Sequence, residues 1–370
     1  MNVQGNAMSL TSKSSLPSSA AASEGPGPAL AEPLAGNRWR VPDEDFQRLL
    51  AGPVLCRLAD QSVLEFDGPD ALSFLQSQTT PDVNAMTMQS WQLGGYCTPK
   101  GRLLAVFQAW RHDTGACLLL PGPIAPAILR RLSMYVLRAK LRARDASADW
   151  AAFAILSNDP GRGGAQALRQ AGIELPEQAW QARALSGGGR IAALPVGANC
   201  TERWLCVVPA AQEAHWLRQL GLLPQATPPL WWWTQIDAAI PAVFADTSEL
   251  FVPQTLNLEV LGGVSFRKGC YPGQEIVARS QYLGKLRRRL ALGHAPELGP
   301  GPDIYAGGKD APVGRIVMAA SAPGGGWDLL YECAAEPAEG GAGAELHAGA
   351  ADAPIIEGRA LPYAIFDPTA

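Results

Sequence analysis

Two periodicities alternate along the chain. Val63-Leu-Glu-Phe66 reads as a strand closed by Asp67-Gly68-Pro69, and Pro69 suits the first turn of a helix carrying Leu72, Phe74 and Leu75. That helix is expected to stop at Thr79-Thr80-Pro81-Asp82. The spacing then becomes that of β-structure. Residues 91–97, 103–110 and 117–120 are apolar runs separated by turns at Thr98-Pro99-Lys100-Gly101 and His112-Asp113-Thr114-Gly115, which predicts a three-stranded meander. Ile124, Ile128, Leu132 and Tyr135 return to helical spacing, with Arg130, Arg131 and Arg138 turned mainly away from that face.

Residues 150–223 form a second expected unit, with short buried-type strands at 152–156 and 204–208 and a helical window at 211–220. Pro224 to Pro229 reads as a linker by composition. Beyond it Trp233, Ile236 and Ile240 recur at helical spacing, and Asp237 shares their face as a cap or a ligand. Trp231-Trp232-Trp233 spreads over about 200° of a helix at about 100° per residue, so at most two can share a pocket, and a core role is the expectation. From 290 onward Gly/Pro turns alternate with strands such as 315–318 and 364–366, which suggests a small β-barrel or sandwich. The first 47 residues are expected to lie outside the fold, because 1–36 are rich in Ser, Ala, Gly and Pro with Lys13 as their one cation. The expected domains are therefore a disordered tail over 1–47, a first part over 48–149, a small α+β domain over 150–223, a second part over 224–289 and a β-barrel over 290–370.

Composition narrows the function classes. With 370 residues, 47% of them hydrophobic, the chain can bury a sizeable core. A net charge of −4 argues against a protein built as a whole for nucleic acid or anionic membranes. The average hides a segregation: 130–144 carry six Lys/Arg and no acid, and 267–289 carry seven against Glu275 alone. Such runs fit either a localised anionic partner or plain solvated faces. The seven cysteines are widely spaced without a Cys-x-x-Cys pair, so neither a disulfide framework nor a zinc ribbon is expected, and the site prediction holds no metal. No window reaches the roughly 18 apolar residues of a membrane span. A cytoplasmic protein is expected.

The chemistry gathers at Phe266-Arg-Lys-Gly-Cys-Tyr-Pro-Gly-Gln-Glu275. Arg267 and Lys268 place positive charge beside Cys270, and Gly269 and Gly273 permit tight turns around it. This stretch resembles K-G-C-[FY]-x-G-Q-E, the signature of the YgfZ family of folate-binding proteins. Residues 68–83 resemble the opening helix of the wider glycine-cleavage T-protein (GcvT) superfamily, Thr98-Pro-Lys-Gly-Arg102 its hairpin, and 240–275 follow in the family's order. The resemblance covers roughly residues 48–320. It implies an α+β, three-domain ring around a central folate cavity, closed by a C-terminal small β-barrel. It also implies a tetrahydrofolate cofactor or a one-carbon derivative, and a role supporting iron–sulfur enzymes or their assembly, including the methylthiolation of tRNA.

Reduced folate requires a polar pair for the pterin edge, a stacking wall and cations for its carboxylates. Gln274 and Glu275 supply the first on this reading, and Tyr271, Tyr282 or Trp91 the second. Lys268, Lys285 and Arg287 to Arg289 supply the third. Cys270 has three readings: a nucleophile, a transient ligand for iron or a cluster, or a turn residue. Histidines occur only at 112, 215, 294 and 347, three of them in turn or low-complexity sequence, which lowers the hydrolase option. The alternative function is aminomethyl transfer of the glycine-cleavage type. Aligning the family's Gly-Gly turn on Lys100-Gly101 puts Leu104 and Ala105 where its two acidic residues would stand, and neither can move a proton. Folate binding without that reaction is therefore expected. Contact with tRNA has no RNA-binding module behind it.

Overall fold

The meander is the edge of a five-stranded antiparallel sheet ordered Trp91–Cys97, Leu103–His112, Gly115–Pro121, Gln61–Asp67 and Arg142–Asp145. The computed structural model to which it belongs describes residues 36–159, 163–221, 223–282, 286–307, 311–334 and 344–365. Both faces of the sheet are covered, which explains the unbroken apolar run of its central strand. Leu118 and Leu120 pack on the helices Ala71–Gln78 and Ala125–Ser133, while Cys117 and Leu119 point the other way into a core shared with the rest of the molecule.

A second, six-stranded sheet is ordered Gln225–Ala226, Val54–Arg57, Trp150–Ser157, Glu202–Pro209, Arg190–Ala193 and Ala182–Ala184. Its outer face carries the helices Gly164–Gln170 and Ala210–Gln219, and its inner face joins the shared core. The expected boundaries at 150 and 224 cut through this sheet, because Val54–Arg57 pairs with Trp150–Ser157 on one side and with Gln225–Ala226 on the other. Pro224 to Pro229 is thus no linker: it contributes an edge strand, then places Pro228 and Pro229 in the first turn of a helix.

The third sheet runs Leu346–Ala348, Asp303–Ala306, Pro312–Ser321, Trp327–Ala334, Arg288–Ala295 and Glu357–Arg359. A bridge between His347 and Ile355 and a 2.7 Å hydrogen bond from Ile356 N–H to the Leu346 carbonyl link its two edges, so the sheet curls on itself. Residues 364 and 365 are not a strand.

The helix Pro228–Asp237 sits where the three layers meet. Pro229 to Asp237 are all buried, as expected of a helix surrounded by protein on every side. Its three tryptophans face three ways. Trp232 stacks on Trp39 at 5.1 Å between centroids and donates to Asp60 Oδ2 at 2.5 Å, Trp233 donates to Asp328 Oδ2 at 2.9 Å, and the Arg203 guanidinium lies over Trp231. Asp237 accepts from the backbone amides of Asn199 and Cys200, the latter at 2.9 Å, so it fixes a neighbouring loop.

The expectation of a tail reaching residue 47 fails over 36–47; residues 1–35 lie outside the described residues. Arg38–Trp39 pairs in parallel with Pro312–Ser321, and the helix Asp43–Ala51 buries Phe46 and Leu49. Asp45, fully buried, accepts from Thr227 N–H at 2.9 Å and from its hydroxyl, tying the segment to the start of the tryptophan helix. The signal was present in Pro42 followed by three acids, a helix-start pattern behind the apolar pair Trp39 and Val41.

Candidate functional site

The loop 266–275 is fastened at three points. Lys268 turns inward and donates from Nζ to the carbonyls of Gln76, Thr79 at 2.6 Å and Pro81 at 3.0 Å. These carbonyls close the C-terminal end of the helix Ala71–Gln78, where unsatisfied acceptors and the helix dipole favour a cation. Burial lowers the Lys268 ammonium to about 8, with Asp82 pulling the other way. The ammonium also lies 5.0 Å from the centroid of Tyr271, a cation–π contact that holds this buried ring. Burial first, and Cys97 second, push the Tyr271 phenol well above its usual range.

The third fastening is a glycine pair. Gly273 has φ +84°, and a Cβ there would come within 2.7 Å of the Gly101 backbone at the Thr98–Arg102 turn. Gly101 itself has φ +71°. A side chain at Gly273 would run into this backbone, and one at Gly101 would press on the Ile276 side chain, 3.0 Å from the added Cβ. The residue after this contact, Gln274, opens the helix Gln274–Tyr282.

What the fastened loop leaves outside is Cys270. It is the exposed one among seven free cysteines, the other six being buried. Arg267, Glu275 and Ile276 surround it in sequence and are also exposed.

The other expected ligand residues do not converge. Glu275 is 83% exposed in its side chain and faces Arg279 at 3.6 Å along the helix surface, so it is not the buried carboxylate expected of a pterin anchor. Gln274 is half-buried beside it. Trp91 is a core residue: it stacks on Trp110 at 5.1 Å with rings 1° from parallel, and its Nε1 donates to Gln108 Oε1 at 2.7 Å. Arg289 is consumed by an ion pair with the buried Glu259. Arg287 is exposed, and Lys285 lies outside the described residues.

Two cavities adjoin these elements. A central one lies between the five-stranded sheet and the tryptophan helix, lined by Gln61, Leu93, Gln108, Trp232, Gln235 and Pro241, among others. Gln61 Nε2 is buried there without a hydrogen-bond partner among the described residues. Its free space is about 20 Å³, room for one water. Sequence reasoning missed this set because its three glutamines come from three separate segments. A larger cleft of about 420 Å³ lies between the Thr98–Arg102 turn and the curled sheet, lined by Arg102, Phe251, Arg288, Arg315, Asp303 and Glu332. Arg288 pairs with Glu332 at 2.8 Å and Arg315 with Asp303 at 2.9 Å, while Arg102 donates to the Leu250 carbonyl at 2.6 Å.

No family model matches the chain. Among curated proteins it is 30% identical over 280 residues to the tRNA-modifying protein YgfZ of Pectobacterium carotovorum, covering 74% of this chain and 81% of that one. It is 32% identical over 244 residues to the tRNA-modifying protein YgfZ of Vibrio vulnificus, covering 66% and 71%. Among solved structures it resembles the glycine cleavage system aminomethyltransferase T of Bartonella henselae, with a TM-score of 0.63 over 82% of this chain and 83% of that one. At 13% identity that likeness speaks for the fold, a mixed α/β architecture with a curled sheet.

Proposed function

The chain belongs to the YgfZ family, and from that premise we propose that it is a folate-binding auxiliary protein that supports tRNA modification by presenting Cys270 to an iron–sulfur enzyme or its assembly partner. The observation that carries this reading is the loop 266–275. Lys268, Tyr271 and Gly273 are committed to holding it, and the one exposed thiol of the chain sits on it. A merely structural cysteine in a turn would gain from burial, as the other six do. Arg267 on the same loop, and Glu275 and Arg279 on the helix that follows it, are charged and exposed and suit a protein partner.

On this reading tetrahydrofolate takes the central cavity, the place that the family resemblance gives to folate. One donor there suits a pterin edge: Gln61 Nε2 is buried without a partner among the described residues, while Gln108 Oε1 accepts from Trp91, Gln235 Oε1 accepts from Arg203 and Trp232 stacks on Trp39. The space does not yet fit, since small-molecule sites measure roughly 300 Å³ or more. Binding there therefore requires the cavity to widen. Arg102 stands six residues before Gln108 near the same strand, about 20 Å away at roughly 3.3 Å per residue, within reach of an extended folate. The cleft it shares with Arg288 and Arg315 supplies cations for the tail carboxylates.

Aminomethyl transfer is the weaker reading. The lining of the central cavity offers amides and no carboxylate, and Leu104 and Ala105 are buried on the opposite face of the sheet against the helices. Calorimetry with tetrahydrofolate tests the ligand: binding is expected, weakened about tenfold by Gln61→Met, the loss of one hydrogen bond at about 1.4 kcal/mol. No heat at millimolar folate would remove the ligand from the proposal. Restoration of tRNA methylthiolation in a strain lacking the gene tests the thiol, and full rescue by Cys270→Ser would remove that part.

A further inference from the structure

A second cluster of reactive side chains lies on the inner face of the five-stranded sheet, away from the loop 266–275. In the strand register Glu65 stands directly opposite Cys117, and Cys117 directly opposite Trp110. His112 follows Trp110 by two residues on the same strand, so it returns to the same face one diagonal step from Cys117. One ligand atom from each of Glu65, His112 and Cys117 lies within 4.8 Å of the others.

We propose that these three side chains form a binding site for a divalent zinc-class metal ion. The mixed set of thiolate, imidazole and carboxylate suits zinc, and three protein ligands leave a fourth position for water or a partner's ligand. Zinc bonds of about 2.0–2.3 Å place tetrahedral ligands roughly 3.5 Å apart, so closing the site takes about an ångström of side-chain movement.

Two features point to a ligand beyond the proximity. His112 Nε2 is buried and has no hydrogen-bond partner among the described residues, which leaves a lone pair without a role. The other ring nitrogen is oriented: Nδ1 lies 3.4 Å from Thr114 Oγ1, which donates in turn to Asp67 Oδ1. That chain keeps the proton on Nδ1 and the lone pair on Nε2, the outer arrangement metal-binding histidines use. Glu65 is oriented too. Arg144, opposite it in the register, donates from Nε to Oε2 at 2.6 Å, holding one carboxylate oxygen while Asp149 occupies the far side of the guanidinium. Burial lowers the His112 imidazolium and keeps the ring neutral, as a metal ligand must be, while the carboxylates of Glu65, Asp67 and Asp113 attract a cation and Arg190 is turned to the Met88 carbonyl. On binding, the Cys117 thiol releases its proton to solvent and coordinates as the thiolate.

Cobalt(II) titration of the full chain tests this, in a Cys270→Ser background so that the exposed thiol cannot bind the ion. One equivalent is expected to produce a thiolate-to-cobalt charge-transfer band, displaced by zinc(II). Cys117→Ala should abolish that band, and His112→Gln and Glu65→Gln should each weaken zinc affinity at least tenfold. Absence of the band from Cys270→Ser protein, or its survival in Cys117→Ala, would overturn the site. Should Cys117→Ala fail to fold, His112→Gln at the rim decides: unchanged zinc affinity overturns the proposal equally.

Discussion

The helix Pro228–Asp237 and the loop 266–275 both gather residue types that invite a functional reading, and the fold treats them in opposite ways. In the helix the three tryptophans are buried and directed at different neighbours, with the indole N–H of Trp232 and of Trp233 each matched by a carboxylate and the ring of Trp231 covered by Arg203. In the loop most side chains are spent in the same manner, but one sulfur is left outside. The difference shows where to look for chemistry. A rare residue whose polar atom is already matched belongs to the architecture, and a reactive atom left unmatched on a fixed backbone is a candidate for a partner.

Substitutions at the two places should therefore differ sharply. Trp233→Ala should cost about 3–5 kcal/mol in urea denaturation, since it opens a cavity at the junction of the layers and strips the buried Asp328 of a donor. A loss below about 1 kcal/mol would mean that the helix is not the keystone its burial suggests.

Lys268 brings the comparison into the loop itself. Its ammonium is lowered from 10.5 to about 8, so between those values the unfolded chain binds more protons than the folded one. Stability relative to Lys268→Met should then rise as the pH climbs from about 8 to about 10.5, by at most about 3 kcal/mol. A flat difference across that window would mean that the three carbonyls around Nζ offset the desolvation in full.

Gly273 is the backbone counterpart. Alanine there must adopt φ +84° and push against Gly101, which should cost about 1–3 kcal/mol while leaving the tryptophan helix untouched. The denaturant midpoint of Gly101→Ala should fall as well, through its φ of +71° and the Ile276 side chain 3.0 Å from the added Cβ, and the double variant should depart from additivity because the two positions adjoin.

Periodicity carried the local elements well. The meander, the helix after Pro69 and the helical window at 211–220 all follow from spacing, and the φ of Gly273 follows from its place in a tight turn. What was not legible depends on distant pairing. Lys268 looked like a partner for Cys270 because its true partners, Gln76, Thr79 and Pro81, lie nearly two hundred residues earlier in the chain. Trp91 looked like a ligand wall because nothing local announces Trp110 across the sheet. Glu65, His112 and Cys117 are scattered in sequence and adjoin only once the register is known. The segment 36–47 is the exception, since its helix-start pattern was readable and was outweighed by the composition of the residues before it.

The smallest effect on stability should accompany the largest on function. Cys270 is exposed, no hydrogen bond runs through its side chain among the described residues, and serine matches its size, so Cys270→Ser should change stability by less than about 0.5 kcal/mol. The same variant should keep tetrahydrofolate binding, because Cys270 does not line the cavity proposed for it. Iodoacetamide under native conditions should label Cys270 first of the seven, since burial shields the other six sulfurs. Mass spectrometry of the early product locates the label directly. Labelling of a buried cysteine ahead of Cys270 would show that the loop does not present its thiol, and the contrast between a buried helix and a loop that presents its sulfur would then fail at its decisive residue.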